Sequence, residues 1–223
     1  MLHLPNITLL AVSSVDLAGT DLALQISSHD IEFGAIKFLS SEDWSPSNPK
    51  IEMVKIPKLD IVGYSKFILC DLYRHVETQY CLVVQSDGFV LNASKWNPTF
   101  LGYDYIGAPW PMDLKLQPGD IALDLSANTV GNGGFSLRSK RLLEATSNIA
   151  FDDLSFPTKS EDLILCHYLL QDMLKAGVKF PNPELAAQFS IESPSATYGQ
   201  NPSTCFGFHG KELRDLIFAN VQG

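Results

Sequence analysis

The chain has 223 residues, 45% of them hydrophobic and 18% charged, with a formal net charge of -9. That length suits a substantial buried core, and we expect a single domain over residues 1–223. The acidic balance excludes a broad electrostatic grip on nucleic acid or on an anionic membrane surface, because both need clustered Lys and Arg. A phosphate-bearing ligand would need a local cation or a metal ion.

The N-terminal stretch lacks a basic n-region, and Pro5-Asn6 interrupts its apolar run well short of a membrane span. No integral membrane segment and a cytoplasmic location are therefore expected. Cys70, Cys81, Cys166 and Cys205 are widely scattered, without metal-like spacing, and are expected as reduced core thiols.

In chain order, residues 7–12 form an apolar run that ends in Ser13-Ser14 and predicts a buried strand. Thr20-Asp21 can cap a short helix through Gln25-Ile26, and residues 33–39 and 51–56 predict two further strands. Tyr64, Phe67, Ile68, Leu72 and Val76 recur at helical spacing, with Lys66, Arg74 and Glu77 on the other side. The helix leads into a strand over residues 80–85, whose tip carries Asp87. An unpaired charge beside a core is costly, so Asp87 marks a place where something positive binds. The alternation predicts an α/β class, a mixed but mostly parallel central sheet flanked by helices, with ligands beyond the carboxyl ends of its strands.

Residues 96–98, 107–111 and 117–120 are rich in loop formers, and aromatics crowd Tyr103-Asp104-Tyr105, which makes this a candidate substrate-facing region. Gly131-Asn132-Gly133-Gly134 allows close approach of a ligand to the main chain, while Phe135 and Leu137 anchor a following strand. The glycines fit neither a Walker loop nor a dinucleotide fingerprint. Ser139 can cap a helix through Leu142-Leu143. Ser160-Glu161-Asp162 suits a first helical turn as a capping arrangement, for a helix that ends near Gly177. His209 lies between aromatics and glycines just before a helix marked by Leu213, Leu216 and Ile217, where it is either a turn residue or a ligand.

Five blocks stand together in this order: Gln85-Ser86-Asp87-Gly88, Tyr105-Ile106-Gly107-Ala108-Pro109-Trp110, Gly131-Asn132-Gly133-Gly134-Phe135-Ser136-Leu137-Arg138, Ser160-Glu161-Asp162 and Phe206-Gly207-Phe208-His209-Gly210. In them the chain resembles a bacterial family of GT-A-type glycosyltransferases catalogued as a domain of unknown function. The resemblance is best from about residue 80 to residue 210.

It implies a Rossmann-like GT-A fold and a metal-dependent transferase, with Asp87 as the last carboxylate of an Asp-x-Asp motif and His209 as a second ligand of Mn²⁺ or Mg²⁺. Gln85 stands where that motif has its first acid. The nucleotide-sugar donor would meet Ser13, Gln85 and Asp87, with Gly133 and Gly134 giving main-chain access to the sugar or acceptor. Glu161 and Asp162 would supply the general base for a hydroxyl of a saccharide or other small acceptor, Asp162 the stronger candidate; in a retaining reaction no such base is required and they would only position sugar hydroxyls. Trp96, Tyr105 and Trp110 can stack on a sugar or anchor loops. Arg138 suits a phosphate contact or a structural salt bridge, and Lys37, Lys55 and Lys95 are further cations. Two alternatives stay open: a non-catalytic sugar- or nucleotide-binding module of the same fold, and a metal-dependent phosphoester hydrolase or nucleotidyltransferase.

Overall fold

The computed structural model describes residues 1–116, 121–192 and 198–221, so the loop residues 117–120 noted in the sequence lie outside it. A six-stranded sheet is built from β1 (Leu2–Val12), β2 (Ile31–Ser40), β3 (Ile51–Lys55), β4 (Tyr80–Val84), β5 (Tyr105–Ile106) and β8 (Ser136–Ser139). Its order is β3-β2-β1-β4-β8-β5. The β3, β2, β1 and β4 ladders run parallel, whereas β8 pairs antiparallel with both β4 and β5. Successive strands move outward from β1 to β3, and then β4 returns to the other side of β1. That reversal opens a crevice at the carboxyl ends of β1 and β4.

Alternation along the central strands buries both faces. Leu9, Ala11, Leu82 and Val84 enter one core, with Leu24 of α1 (Leu17–Ser28). Leu10, Val12, Cys81 and Val83 enter a second core against Ile68 and Leu72. The helix over that second face begins as α2 (Ile61–Lys66), passes through a π-helical turn at Phe67–Asp71 and closes in a 3₁₀ turn at Leu72–His75. The sequence periodicity predicted one helix there; the apolar set stays on the core side while the winding changes.

The first strand is longer than its apolar run. It passes through Pro5, and the register with β2 shifts between Leu4 and Thr8, which accommodates the missing N–H. The first helix starts earlier than Thr20: Asp16 is its cap, its Oδ1 accepting from the Gly19 N–H at 3.0 Å. Ser139 caps α3 (Lys140–Thr146) as expected, accepting from the Leu142 N–H at 3.0 Å.

Outside this sheet, β6 (Lys115–Leu116) and β7 (Ile121–Ala122) form a separate antiparallel pair. Beyond α3 come α4 (Glu161–Leu163), a second π-helical turn at Ile164–Tyr168, α5 (Leu170–Lys175) and α6 (Pro183–Phe189). Gly177 follows α5 at φ 78°, a left-handed stop that only glycine adopts without strain. Finally β9 (Ser190–Ile191) and β10 (Gly207–Phe208) form a parallel pair, and α7 (Lys211–Val221) closes the described chain. All four cysteines are free; Cys81, Cys166 and Cys205 are buried and Cys70 half-buried. Among the described residues no helix is long and apolar enough to cross a membrane.

Leu82 is fully buried at the centre of the sheet. Leu82→Ala is expected to lower unfolding stability by about 2–5 kcal/mol in a denaturant titration, whereas Leu216→Ala, 61% exposed on α7, should stay within about 0.5 kcal/mol of wild type.

Candidate functional site

At the tip of β4 the chain reverses in a tight turn, with Gln85 and Gly88 exchanging both backbone hydrogen bonds at 3.0 Å. Ser86 and Asp87 therefore stand at the carboxyl edge of the sheet. They border a cleft of about 460 Å³ whose other walls are Val12 to Asp16 after β1 and Asp60, Ile61 and Tyr64 from the start of α2. Ser13, which the resemblance implies as a nucleotide contact, lies in this wall.

The tail of the chain comes to the same turn. Phe208 donates from its N–H to the Phe89 carbonyl at 3.3 Å, and Gly210 donates to the Asp87 carbonyl at 2.8 Å. Phe89 and Phe208 pack edge to face, 4.7 Å between centroids. These contacts put the His209 ring over the turn, its Nε2 3.5 Å from Asp87 Oδ1 and 3.1 Å from Gln85 Oε1. The other ring nitrogen, Nδ1, lies 3.3 Å from Glu192 Oε1.

Burial works against a charged imidazole, but Asp87 and Glu192 together outweigh it and push His209 up to about 9. The hydrogen bond from His209 in turn holds the Asp87 carboxyl below the usual carboxylate range. Gln85 has a second partner: its amide Nε2 donates to the Tyr64 hydroxyl at 2.9 Å. Burial, reinforced by the charge of Glu161, pushes that hydroxyl up to about 12.

The glycine turn separates two groups of side chains. A Cβ on Gly134 would lie 2.1 Å from His209 Nε2, and one on Gly133 only 1.8 Å from Glu161 Oε1. The space that the sequence reading reserved for a sugar or acceptor beside these glycines is filled by the site's own imidazole and carboxylate.

Glu161 is 5% exposed and accepts from Arg138 Nη2 at 2.8 Å, a buried ion pair. Burial opposes the Arg138 charge, yet Glu161 outweighs it and holds the guanidinium above its ordinary value. Arg138 also donates to Ser136 Oγ at 3.0 Å and lies over the Tyr105 ring at 5.2 Å, so of its two expected roles it takes the structural one. Glu161 commits its Oε1 to this ion pair, which leaves Asp162 the stronger candidate for a base.

Asp162 is different. It is half-buried, its Oδ1 accepting from the Leu163 N–H at 2.8 Å and its Oδ2 from the Gly133 N–H at 3.3 Å. Burial and the adjacent Glu161 charge push it up to about 6. Ser160 occupies the cap position of α4 without a side-chain cap bond, while both acids stand in the first turn as expected and Asp162 takes one of its N–H groups.

Tyr105 and Trp110 are buried and offer no sugar-stacking face, while Trp96 is half-buried and packs edge-on against Phe100 and Phe206. Lys37 is buried against Glu77 and Glu52, Lys55 pairs with Asp43, and neither of them nor Lys95 borders the cleft. Tyr64 and Glu192 were missed as site residues. Tyr64 read as one more apolar position of a helix, and Glu192 follows a strand too short to show a period.

The donors available to a cation are Asp87 Oδ1, His209 Nε2 and the Gln85 amide oxygen. Among the described residues no group of three or more His, Cys, Asp or Glu converges on one point. Separations of 3.1 and 3.5 Å about Nε2 are near the roughly 3 Å between adjacent ligands of a six-coordinate ion with bonds of about 2.1 Å. Oxygen donors with one imidazole suit Mg²⁺ or Mn²⁺. The set is compatible with an ion that draws its remaining ligands from elsewhere.

The mixed, mostly parallel sheet with this strand-end cleft is a GT-A-like fold. A glycosyltransferase involved in glycosylation of the major capsid of PBCV-1 shares it at a TM-score of 0.53 and 12% identity, over 96% of this chain and 98% of that one. An active-site mutant of LgtC aligns over 96% and 95% of the two chains at 12% identity, with a TM-score of 0.49. No curated protein matches the sequence. The chain belongs to the family described as protein of unknown function DUF5672, whose sequence profile matches residues 50–209.

The contact between His209 and its carboxylates gives a pH signature. With His209 raised from 6.5 to about 9, its stabilisation is complete below pH 6.5 and is lost as pH rises through about 9. The lowered Asp87 describes the same contact and is counted once. Unfolding free energy is expected to fall by on the order of 3 kcal/mol across that window in denaturant titrations, and His209→Ala should flatten the slope.

Proposed function

We propose that the protein is a metal-dependent glycosyltransferase that moves a sugar from a nucleotide donor to a hydroxyl of a saccharide or other small acceptor. The observation that carries this reading is the meeting of Asp87 and His209, 3.5 Å apart, at the rim of the cleft where the strand order reverses. The likeness of fold to a glycosyltransferase over nearly the whole chain supports it.

In this reading the nucleoside lies against Ser13 and the residues after β1, and the diphosphate reaches the turn of Gln85 and Asp87. Asp87 and His209 would hold Mn²⁺ or Mg²⁺ together with the diphosphate, since two or three protein donors leave most of the shell to substrate and water. The ion, when bound, stabilises the charge that develops on the departing nucleoside diphosphate. His209 must give up its Nε2 proton to act as a ligand, so ion affinity should rise with pH up to about 9.

Asp162 is the base. A carboxylate pushed up to about 6 is largely ionised at neutral pH yet more basic than an exposed aspartate. Gly133 fixes its Oδ2, and the next residue, Gly134, packs on His209, so acceptor and leaving group are handled on two sides of one turn. The acceptor hydroxyl gives its proton to Asp162 and its oxygen to the anomeric carbon, whose bond to the diphosphate breaks. The entire chain acts as one catalytic domain in this scheme, and the reaction needs no nucleic acid.

The test is nucleoside diphosphate release from a panel of sugar nucleotides with Mn²⁺. Asp87→Ala should abolish it, and Asp162→Asn should cut turnover about 10²- to 10⁴-fold while donor binding persists. Binding without turnover after a broad acceptor screen would favour a non-catalytic module, and nucleoside monophosphate or free phosphate as first product would favour a phosphoester enzyme.

A further inference from the structure

The pairing of β9 with β10 places Ser190 beside Gly207 and Ile191 beside Phe208 in parallel register. One step further along the same ladder, Glu192 lies beside His209, whose N–H donates to the Ile191 carbonyl at 2.9 Å. The two side chains therefore leave the sheet as neighbours, and Glu192 Oε1 reaches His209 Nδ1 at 3.3 Å. The ring is boxed elsewhere by carbon and backbone: a Cβ on Gly134 would overlap it, and one on Gly88 would lie 2.9 Å from its Cδ2. Packing thus fixes the plane of the ring, but a half-turn about its Cβ–Cγ bond leaves that plane unchanged. Hydrogen bonds distinguish the two orientations: Gln85 and Asp87 meet Nε2 on the cleft side, and Glu192 holds Nδ1 on the other.

We propose that Glu192 is the positioning residue of this site: by accepting the Nδ1–H bond it orients His209 so that Nε2 faces Asp87 and Gln85 in the cleft. A histidine ligand whose far nitrogen is tied to a carboxylate presents a fixed tautomer and a more basic donor atom. The consequence for ion binding rests on the metal-dependent reading above; the orientation of the ring does not.

Two measurements separate those parts. In metal-free protein labelled with ¹⁵N-histidine, the His209 Hδ1 proton should appear as an exchange-protected resonance, assigned by its loss in His209→Gln. Glu192→Ala should abolish it and Glu192→Gln, whose amide oxygen still accepts, should retain it. Mn²⁺ binding followed by electron paramagnetic resonance, with uridine or guanosine diphosphate present, should then weaken about 10- to 100-fold in Glu192→Ala and less in Glu192→Gln. A Hδ1 resonance that survives in Glu192→Ala overturns the proposal, as does an unchanged Mn²⁺ affinity in that variant. If wild type shows the expected resonance but binds no Mn²⁺ with either diphosphate, the orienting role stands and the ion-binding reading falls.

Discussion

The arrangement depends on one contact between residues far apart in sequence, Asp87 at the end of a central strand and His209 near the tail. Neither side chain could hold that geometry alone. The carboxylate is presented by a two-residue reversal between Gln85 and Gly88, and the imidazole is delivered by β10, which Phe89 and Phe208 seat against the strand end where Gly88 leaves room for it. Apolar packing supplies the attraction, and the bond from the Gly210 N–H to the Asp87 carbonyl sets the register. The polar pair adds to stability while His209 keeps its proton, below about pH 9. Its value lies in placing an acid and a base at the mouth of a cleft that strand topology has already opened.

Behind this contact lies a second, drier one. Arg138 and Glu161 form an ion pair buried between the glycine turn and α4, fixed by Ser136 and roofed by Tyr105. Pairs of this kind seldom add stability over a well-packed apolar alternative, because desolvation consumes the Coulombic gain. Here the pair keeps a carboxylate charge next to Asp162, which raises the proton affinity of Asp162. Gly133 and Gly134 are the partition between the two environments, each glycine leaving room for a functional side chain of its own. Backbone freedom, which the sequence suggested as their purpose, is secondary to that lack of volume.

Much of the scaffold was legible because burial on two faces leaves apolar runs and alternation in β1, β2 and β4, and because helical spacing marks the segment from Tyr64 to Val76. The carboxylate at the strand tip was legible for the same reason, as a charge out of place. What could not be read were features that leave no period. The antiparallel direction of β8 depends on the route of a long loop, two-residue strands such as β9 carry no alternation, and a π-helical turn keeps nearly the same apolar spacing as an α-helix. Asp16 rather than Thr20 caps the first helix, and Gly19 allows it because a Cβ there would lie 2.4 Å from the Asp16 carboxylate. Partners of buried charges are equally silent in sequence, which is why Arg138 remained undecided between ligand and salt bridge until Glu161 was seen beside it.

The most direct examination of the central claim is anomalous diffraction at the manganese edge from crystals of the wild-type protein grown with Mn²⁺ and a nucleoside diphosphate. The account predicts a single strong peak between Asp87 Oδ1 and His209 Nε2, with diphosphate oxygens completing its shell and the nucleoside beside Ser13. A nucleoside diphosphate bound in the cleft with no peak there, or a peak away from both side chains, would contradict it.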